Sequence, residues 1–428
     1  MSETDVDERP ERSDERREPP DALTRYVASM RRQRVWYLAV IAALAVVAVA
    51  VALVVWFSGE ITHVHLHTAK SAPPSVAAGT PPATPTARWH SSDRTAIGAP
   101  FTGGTVVTYS AHTVTGRNAL TGAADWTYTR SDRTVCEVAQ VQDKTIAIYA
   151  VDGNCAEVST FETGTGKRAW TRTLDENGLT VNGHPAIIAT DDTLYVWGAD
   201  YVYAIDPGSA YDRWTYPPGD GCQFTAVVPG TAGVLMSEHC ADGDQLLLRD
   251  RVAGIDDKQQ DDDKKNQVLW RQKNVSTIPV AADSIVAAID PTTRQLVSYD
   301  SAKGTRLTQT SLTPAPTATT PILHALAGQN ELIWIDGTVY AVTSGGTQQW
   351  TATASTLPTV SSSDGTTAAS DLGTSSILVP TSSGVAALDG TTGQTTTQYP
   401  VPPPAPDSRV YALGNGFLVA GSSTAYYA

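Results

Sequence analysis

The stretch V-Y-A-V-T-S-G-G-T-Q-Q-W, from Val339 to Trp350, recurs in altered form along most of the chain. Each copy is a short apolar strand, a Gly-rich turn and a second strand that opens near a Trp. The other clear copies are F-E-T-G-T-G-K-R-A-W (Phe161–Trp170), V-Y-A-I-D-P-G-S-A-Y-D-R-W (Val202–Trp214) and V-A-A-L-D-G-T-T-G-Q (Val385–Gln394). A period of roughly 40–50 residues is typical of a β-propeller or another repeat array, because one such unit cannot bury its own apolar faces.

The number of blades follows from the spacing of the Trp-type strands, since each blade needs four antiparallel strands. If this strand is the fourth of its blade, the markers are Trp126, Trp170, Trp214, Trp270, a position near Leu307, Trp350, and a position near Gln398 where the aromatic residue is Tyr399. Residues 409–428 supply three further strands, and Trp89 marks the missing fourth. The sequence therefore predicts an all-β, eight-bladed propeller over residues 84–428, closed by pairing its two ends; seven blades is the alternative.

The strand–D-x-x-x-G-x-x-x-W unit resembles the PQQ-like repeats of bacterial quinoprotein dehydrogenases and of BamB-type assembly lipoproteins, over about residues 84–428. The resemblance implies that the repeat tryptophans pack between neighbouring blades. PQQ enzymes of this fold use a disulfide of adjacent cysteines, a Ca²⁺ ion and a catalytic Asp. This chain has no Cys-Cys dipeptide, and none of those site residues can be matched to it. We therefore expect no cofactor and no quinoprotein activity.

The first 83 residues differ in composition from the repeats. Residues 1–34 mix acidic residues and Arg with few apolar side chains, which is typical of a disordered tail. Residues 35–57 carry no charge and, at about 1.5 Å per residue, are long enough to span a hydrocarbon core of about 30 Å. Residues 58–83, rich in Pro, Thr and Ala, are predicted to form a semi-extended stalk that lifts the propeller from the bilayer.

Charge fixes the predicted orientation of this span. Arginines precede it, whereas no basic residue follows it before Lys70, so the positive-inside rule places the N-terminus in the cytoplasm and the propeller outside the cell membrane. A cleaved signal peptide is the alternative, but the apolar run is too long for one.

The composition is that of a high-GC bacterium, in our interpretation an actinobacterium. A formal net charge of −14 argues against a nucleic-acid partner, which would need a clustered positive surface.

Four cysteines lie in the repeat region, as two pairs with nearly equal separations in the second and fourth predicted blades. An even number of cysteines outside the membrane favours disulfides, here Cys136–Cys155 and Cys222–Cys240. A zinc site is less favoured because the spacing is not C-x-x-C and His239 is the one nearby histidine.

Two further segments are candidate binding sites. His63, His65 and His67 alternate, so that in an extended conformation their imidazoles would share one face and could bind Zn²⁺ or Cu²⁺; ordinary linker residues are the alternative. An acidic insertion before Trp270 could bind a partner or a divalent cation, although a solvated hairpin tip is favoured. Its carboxylates are Asp256, Asp257, Asp261, Asp262 and Asp263.

Catalytic motifs are absent from the sequence: it holds no G-x-S-x-G elbow, H-E-x-x-H pair or Walker loop. Outside the stalk, the histidines are scattered among the blades, and a lone His is more often structural. We therefore expect a non-catalytic envelope protein that binds another protein or a cell-wall ligand through loops at one mouth of the ring. The alternative is a small-ligand receptor or enzyme that uses the central channel.

Overall fold

The computed structural model describes residues 36–38, 40–49, 60–77, 79–98, 101–174, 181, 183–190, 192–209, 211–251, 268–316, 322–327, 330–360 and 376–428. The chain divides into two compact units, Met1–His63 and Val64–Ala428. In the first unit, residues 36–38 and 40–49 are helical, and a further helical turn covers Glu60–His63. No helix in these described ranges combines the length and the apolar character needed to cross a membrane. The span predicted over residues 35–57 lies partly outside these ranges and stays a prediction.

The second unit consists of β-strands, which we number in chain order. Strands β1 to β12 are Val64–His67, Ala87–Ser91, Arg94–Thr95, Ile97–Gly98, Phe101–Thr102, Thr105–Tyr109, Thr113–Asn118, Ala124–Arg130, Val135–Val141, Lys144–Val151, Asn154–Glu162 and Arg168–Thr173. Strands β13 to β24 are Ala186–Ala189, Leu194–Gly198, Tyr201–Ile205, Asp212–Tyr216, Cys222–Gly230, Gly233–Cys240, Gln245–Arg249, Val268–Lys273, Ile278–Ala282, Val286–Ile289, Gln295–Tyr299 and Arg306–Ser311. Strands β25 to β35 are Ile322–Ala327, Asn330–Ile335, Thr338–Thr343, Gln348–Thr353, Thr359–Val360, Ser376–Thr381, Gly384–Asp389, Thr395–Tyr399, Arg409–Leu413, Gly416–Ala420 and Thr424–Tyr427.

These strands form eight sheets, which are the blades of a propeller. Blades 3 to 7 each contain four consecutive antiparallel strands, from β13–β16 through to β29–β32. Blade 8 has the order β2-β35-β34-β33, so a strand from the start of the domain closes the ring against its last strand, with Trp89 opposite Tyr426. The prediction of an all-β, eight-bladed propeller closed by its two ends is confirmed, and the seven-bladed alternative is wrong.

Blades 1 and 2 carry additional strands. Blade 1 has the order β1-β8-β7-β6-β3, with β5 paired to β6, and blade 2 has the order β12-β11-β10-β9-β4. Strand β4 runs parallel to β9, with Ile97 opposite Ala139, whereas the neighbouring strands of these blades are antiparallel. The chain therefore crosses from blade 1 to blade 2 at residues 97–98 and returns before completing blade 1.

The predicted stalk differs most from the structure. Strand β1 pairs with the outer strand β8 of blade 1, with Leu66 opposite Tyr128. Beyond β1, the backbone N–H groups of Ala69, Val76 and Gly79 donate to propeller carbonyls at 2.9, 3.4 and 2.6 Å. The second unit accordingly begins at Val64 and not at residue 84, and the predicted free stalk over residues 58–83 is corrected from Val64 onward. An extended chain has backbone groups to pair, and the outer edge of a blade provides the partners.

Apolar side chains between the blades form the core. The described residues contain eight clusters of buried side chains, one at each interface between successive blades; the cluster joining blades 2 and 3, for example, runs from Ala139 to Ile205. The central strands of each blade are covered on both faces by neighbours. That is why strands such as Tyr201–Ile205 are buried along their whole length and do not alternate between apolar and polar residues.

In six of the eight blades a tryptophan packs against the following blade. At five interfaces the indole N–H donates to a carbonyl in the following blade: Trp89 to Ala119 (2.9 Å), Trp126 to Thr163 (2.7 Å), Trp214 to Arg251 (3.0 Å), Trp270 to Ser301 (3.0 Å) and Trp350 to Gly390 (3.0 Å). Trp170 packs against the cluster between blades 2 and 3, but its indole N–H has no acceptor among the described residues. These tryptophans therefore pack between neighbouring blades, as the family resemblance implied.

Blades 5 and 7 lack the Trp. In blade 5 the third position of the fourth strand is Thr308, whose hydroxyl lies against Gly346 of blade 6, while the neighbouring Leu307 is exposed. In blade 7 the corresponding residue is Thr397, and Tyr399 two positions later packs on Phe417 of blade 8 with ring centroids 5.4 Å apart. In these two blades a threonine therefore occupies the position of the Trp, and in blade 7 the aromatic contact is made by a residue two positions later.

Candidate functional site

The first strands of the blades surround a cavity of about 910 Å³. Strands β3, β4, β13, β17, β25 and β33 contribute its walls. The first strands of successive blades lie next to each other around it. Pockets that bind small molecules have volumes of about 300–1,000 Å³, so the cavity could hold a metabolite or the end of a peptide.

Charged side chains of both signs line this cavity. The lining cations and carboxylates are Arg94, Arg251, Arg409, Glu137, Asp283 and Asp407. Some of them bind protein partners: Arg251 Nη2 lies 3.2 Å from Asp192 Oδ2, and Glu137 accepts a hydrogen bond from the Tyr109 hydroxyl. Burial of Tyr109, followed by the negative charge of Glu137, raises the pKa of that phenol well above its usual range. The cavity therefore combines fixed charges of both signs with a largely apolar lining.

A histidine and two carboxylates meet at one side of the cavity. Nδ1 of His324 lies 3.0 Å from Oε1 of Glu331 and 3.6 Å from Oδ2 of Asp283. Glu331 has a fully buried side chain, whereas His324 and Asp283 retain 19% and 13% exposure and line the cavity. The group thus extends from the protein interior to the channel.

Backbone topology explains how these three residues meet. His324 and Glu331 lie on β25 and β26 of blade 6, where His324 is opposite Ile333 and Glu331 is opposite Leu326. Residues two positions apart across an antiparallel pair share a face, so the hairpin places the imidazole and the carboxylate together. Asp283 comes from the turn between β21 and β22 of blade 5. The group therefore bridges two blades.

Burial and hydrogen bonding set the protonation of this group. Burial raises the pKa of Glu331, and its hydrogen bond to His324 only partly opposes this effect. For His324, burial lowers the pKa, but the hydrogen bond and the negative charge of Glu331 outweigh it, so that the net shift is upward. Arg409 also acts on His324 and lowers its pKa. A protonated His324 hydrogen-bonded to a carboxylate is consistent with these directions.

Both predicted disulfides are present. Cys136–Cys155 joins β9 to β11 in blade 2, and Cys222–Cys240 joins β17 to β18 in blade 4. No cysteine is free. Nδ1 of His184 lies 3.0 Å from Sγ of Cys155, and Glu238 lies beside the second pair. Since these sulfur atoms are bonded to each other, neither group offers thiolate ligands.

The two other predicted binding segments are the three alternating histidines and the acidic insertion, and the structure describes only the first. His65 and His67 lie in β1, but His63 ends the preceding helical turn, so the three histidines do not share one extended strand as predicted. The chain turns helical at Glu60 before the strand begins, and the alternating sequence could not reveal that change. The acidic residues Asp256, Asp257, Asp261, Asp262 and Asp263 lie outside the described residues. Their role stays a prediction.

Sequence reasoning missed the group of Asp283, His324 and Glu331, because it treated His324 as one of several isolated histidines. A signal was present in the sequence. His324 and Glu331 lie on either side of the connection between β25 and β26, at a spacing that puts them on one face once the register is known. Asp283 could not be added, since its position depends on how blade 5 packs against blade 6.

A family model described as outer membrane protein assembly factor BamB matches residues 75–225 and 256–416. No curated protein sequence matches the chain. Among solved structures, BamB from Moraxella catarrhalis is 15% identical, with 80% of this chain and 99% of that chain covered and a TM-score of 0.47. The C-terminal WD40 domain of Sif2 is 10% identical, with 82% and 99% covered and a TM-score of 0.45. PorZ of Porphyromonas gingivalis is 11% identical, with 81% and 42% covered and a TM-score of 0.41.

Proposed function

The chain belongs to the family of the outer membrane protein assembly factor BamB, and on that premise we propose that it is a non-catalytic scaffold that binds other proteins of the cell envelope. Family membership carries this proposal, because the family description names an assembly factor. The architecture supports it as well. Eight blades with their own buried interfaces form a rigid support on which loops can present a binding surface.

We propose that the propeller lies outside the cell membrane and that residues 35–57 anchor it with the N-terminus in the cytoplasm. Two disulfides within blades support an oxidising compartment, where such bonds form and persist. The arginines before the apolar run support the orientation. A phosphatase that needs its own disulfides, fused after Ala428, should be active in cells; an inactive fusion made at normal levels would contradict this location.

The acidic insertion is our candidate for the partner-binding loop. It lies in the segment that connects β19 to β20, the third and fourth strands of blade 4. Just before it, the carbonyl of Arg251 accepts the indole N–H of Trp214, so the base of the loop is docked on blade 3. Deletion of residues 256–265 leaves this docking carbonyl in place. It therefore removes the carboxylates without removing the contact between the two blades.

Crosslinking of the full-length protein in its native membrane, followed by mass spectrometry, tests the scaffold proposal. We expect a reproducible envelope protein that is lost when the propeller is removed and is captured more weakly by the variant lacking residues 256–265. Unchanged capture by that folded variant would exclude the loop. If no protein is captured and cell-wall polymer is retained in its place, the ligand is the wall.

The cavity favours a second candidate function, a receptor for a small ligand. Its volume of about 910 Å³ and its mixed charges suit a polar small molecule. Arg94 is an exposed member of the lining whose guanidinium lies 5.9 Å from the centroid of the Tyr109 ring, so Arg94→Ala removes one charge of the cavity together with this contact. A ligand whose stabilising effect on thermal unfolding is lost in this variant would favour the receptor over the scaffold.

A further inference from the structure

The group of Asp283, His324 and Glu331 has the composition of a metal site. One imidazole nitrogen and two carboxylate oxygens lie within 4.8 Å of one another. Imidazole and carboxylate are the ligands that Zn²⁺ and similar divalent ions take in sites with three protein ligands and one open position. Of the three comparable groups among the described residues, the other two contain disulfide sulfur.

The separations of the ligand atoms fit a small ion. Nδ1 of His324 is 3.0 Å from Oε1 of Glu331 and 3.6 Å from Oδ2 of Asp283. Ligands about 2.0–2.1 Å from a tetrahedral ion lie about 3.3 Å from each other. The two separations from the imidazole nitrogen are each about 0.3 Å from that value, and the two carboxylate oxygens lie within 4.8 Å of each other.

Each carboxylate is oriented by a protein donor on its other oxygen. The backbone N–H of Thr231 donates to Oδ1 of Asp283 at 2.7 Å, which leaves Oδ2 directed at His324. The hydroxyl of Ser284 donates to Oε2 of Glu331 at 3.4 Å, which leaves Oε1 directed at the same nitrogen. Carboxylates that bind a metal ion through one oxygen typically accept a hydrogen bond on the other, which orients them. These donors come from blades 4 and 5, whereas the imidazole belongs to blade 6.

The charge of the group and its opening to the cavity both favour a bound cation. The two carboxylates, when both are ionised, carry more negative charge than a protonated His324 balances, Arg409 being the further cation that acts on this group, and the Glu331 side chain has no solvent exposure. Isolated charge at such depth is costly, and a divalent cation would neutralise it. His324 and Asp283 line the cavity, so an ion can enter from the channel and keep one coordination position toward it.

We propose that Asp283, His324 and Glu331 bind a divalent transition-metal ion of the Zn²⁺ type, with the fourth position open to the central cavity. On binding, the ion replaces the hydrogen bond between His324 and Glu331, and the proton on Nδ1 leaves to solvent. The site does not depend on the scaffold function proposed above. It gives the cavity a ligand-binding centre for a water molecule or an anionic group.

Metal titration of the full-length protein in detergent tests the site. The protein is first treated with a chelator, and Zn²⁺ affinity is then measured by competition with a chromophoric chelator. Co²⁺ provides a second readout, because a tetrahedral site gives intense visible absorption. Since the histidines at 63, 65 and 67 could bind metal themselves, the measurements are made in a variant with all three changed to Ala.

We expect one tight Zn²⁺ ion per chain in this background. His324→Ala and Glu331→Gln should each weaken it by at least about 100-fold, and Ser284→Ala by about tenfold, because loss of an orienting residue costs less than loss of a ligand. His239→Ala is the matched control. His239 pairs with Asp244 at 2.6 Å on the exposed surface, and its loss should leave the affinity unchanged.

Circular dichroism and thermal unfolding establish that each variant is folded. If Glu331→Gln does not fold, Asp283→Asn takes its place, because this side chain is nearer the cavity. Absence of tight Zn²⁺ binding in the background variant would overturn the proposal and leave His324 and Glu331 as a structural ion pair. Equal affinity in the background variant, His324→Ala and Asp283→Asn would overturn it as well.

Discussion

The side chain of Trp126 in blade 1 packs directly against Gly166 in blade 2. Gly166 has a φ of +70°, and a Cβ atom built there would lie 2.5 Å from Cδ2 of the ring. The same indole donates its N–H to the carbonyl of Thr163 in that turn. Gly304 and Gly393 meet Trp270 and Trp350 in the same way. The glycine of the repeat is thus required both by its backbone conformation and by the approach of the ring.

Gly166→Ala should therefore destabilise the propeller. The substitution combines a left-handed backbone with a steric clash, and we expect the free energy of unfolding to fall by about 2–4 kcal/mol. Equilibrium unfolding in urea measures the change. Gly153→Ala is the control, since Gly153 has a φ of +83° but no atom within 4 Å of the added Cβ. That variant should lose only about 1 kcal/mol, from backbone strain. Equal losses in the two variants would mean that the ring contact is unimportant.

Trp126→Phe removes the hydrogen bond of the docked indole together with part of its ring. The ring of Trp126 is fully buried, so removal of its N–H leaves the carbonyl of Thr163 without that donor. We expect the lost hydrogen bond to lower the free energy of unfolding by about 1–2 kcal/mol, in addition to the loss from the smaller buried ring. Trp170→Phe is the comparison, because the indole N–H of Trp170 is buried and lacks an acceptor in the described part of the chain. Calorimetry should show a smaller loss for this variant, because both substitutions shrink the ring but only Trp126→Phe removes a hydrogen bond.

Removal of residues 64–83 should destabilise the propeller. Strand β1 covers the outer edge of β8, and the following residues bond to propeller carbonyls. A fragment of residues 84–428 should therefore unfold at a lower temperature than a fragment of residues 64–428. Hydrogen exchange should also be faster at β8, and the outer strands of blades 3 to 7 provide the control. Identical melting temperatures and exchange would indicate that the segment has no part in stability.

Each disulfide should stabilise its blade. The bonds close segments with sequence separations of 19 and 18 residues, for which the chain-entropy model gives about 3 kcal/mol each. Cys136→Ser with Cys155→Ser, and the equivalent pair in blade 4, should each lower the free energy of unfolding by this order. A reducing agent should lower the stability of the wild type and leave a variant lacking all four cysteines unchanged. Insensitivity of the wild type would contradict the prediction.

The sequence predicted the features that are repeated locally. The Gly-rich turn and the Trp occur together in the chain, so the blade markers, the ring closure through Trp89 and both cysteine pairs could be placed before the structure was known. In blade 5 the predicted marker near Leu307 was one residue from Thr308, because the repeat had lost its aromatic residue.

What could not be predicted depends on contacts between distant segments. The Pro-rich composition of residues 58–83 indicated an extended chain but not the blade edge that β1 would meet. Strand β4 pairs with a neighbouring blade, which no local pattern reveals. Asp283 and His324 belong to different blades, and their meeting follows from the packing of those blades.

Arg130 and Asp132 provide a prediction about acid stability. The Arg130 side chain is 1% exposed, and its Nε and Nη2 donate to the two carboxylate oxygens of Asp132, each at 2.9 Å. Its Nη1 also lies 2.7 Å from Glu157 of blade 2. The hydrogen bonds from Arg130 lower the pKa of Asp132 to about 2. Because the folded-state pKa is below the unfolded value of about 3.9, the stabilisation is complete above about pH 5 and is lost as the pH falls toward 2.

Asp132→Asn should therefore reduce the stability at neutral pH by about 1–2 kcal/mol and flatten the loss of stability between pH 4 and pH 2. Melting temperature measured against pH in constant ionic strength gives both effects. Asp143→Asn is the control, since Asp143 pairs with Lys144 at 3.1 Å and its side chain is 69% exposed. Its pH curve should follow that of the wild type. If the melting temperature of Asp132→Asn falls below pH 4 as steeply as that of the wild type, the prediction is wrong. The acid sensitivity of the propeller then arises from other carboxylates and not from the pair of Arg130 and Asp132.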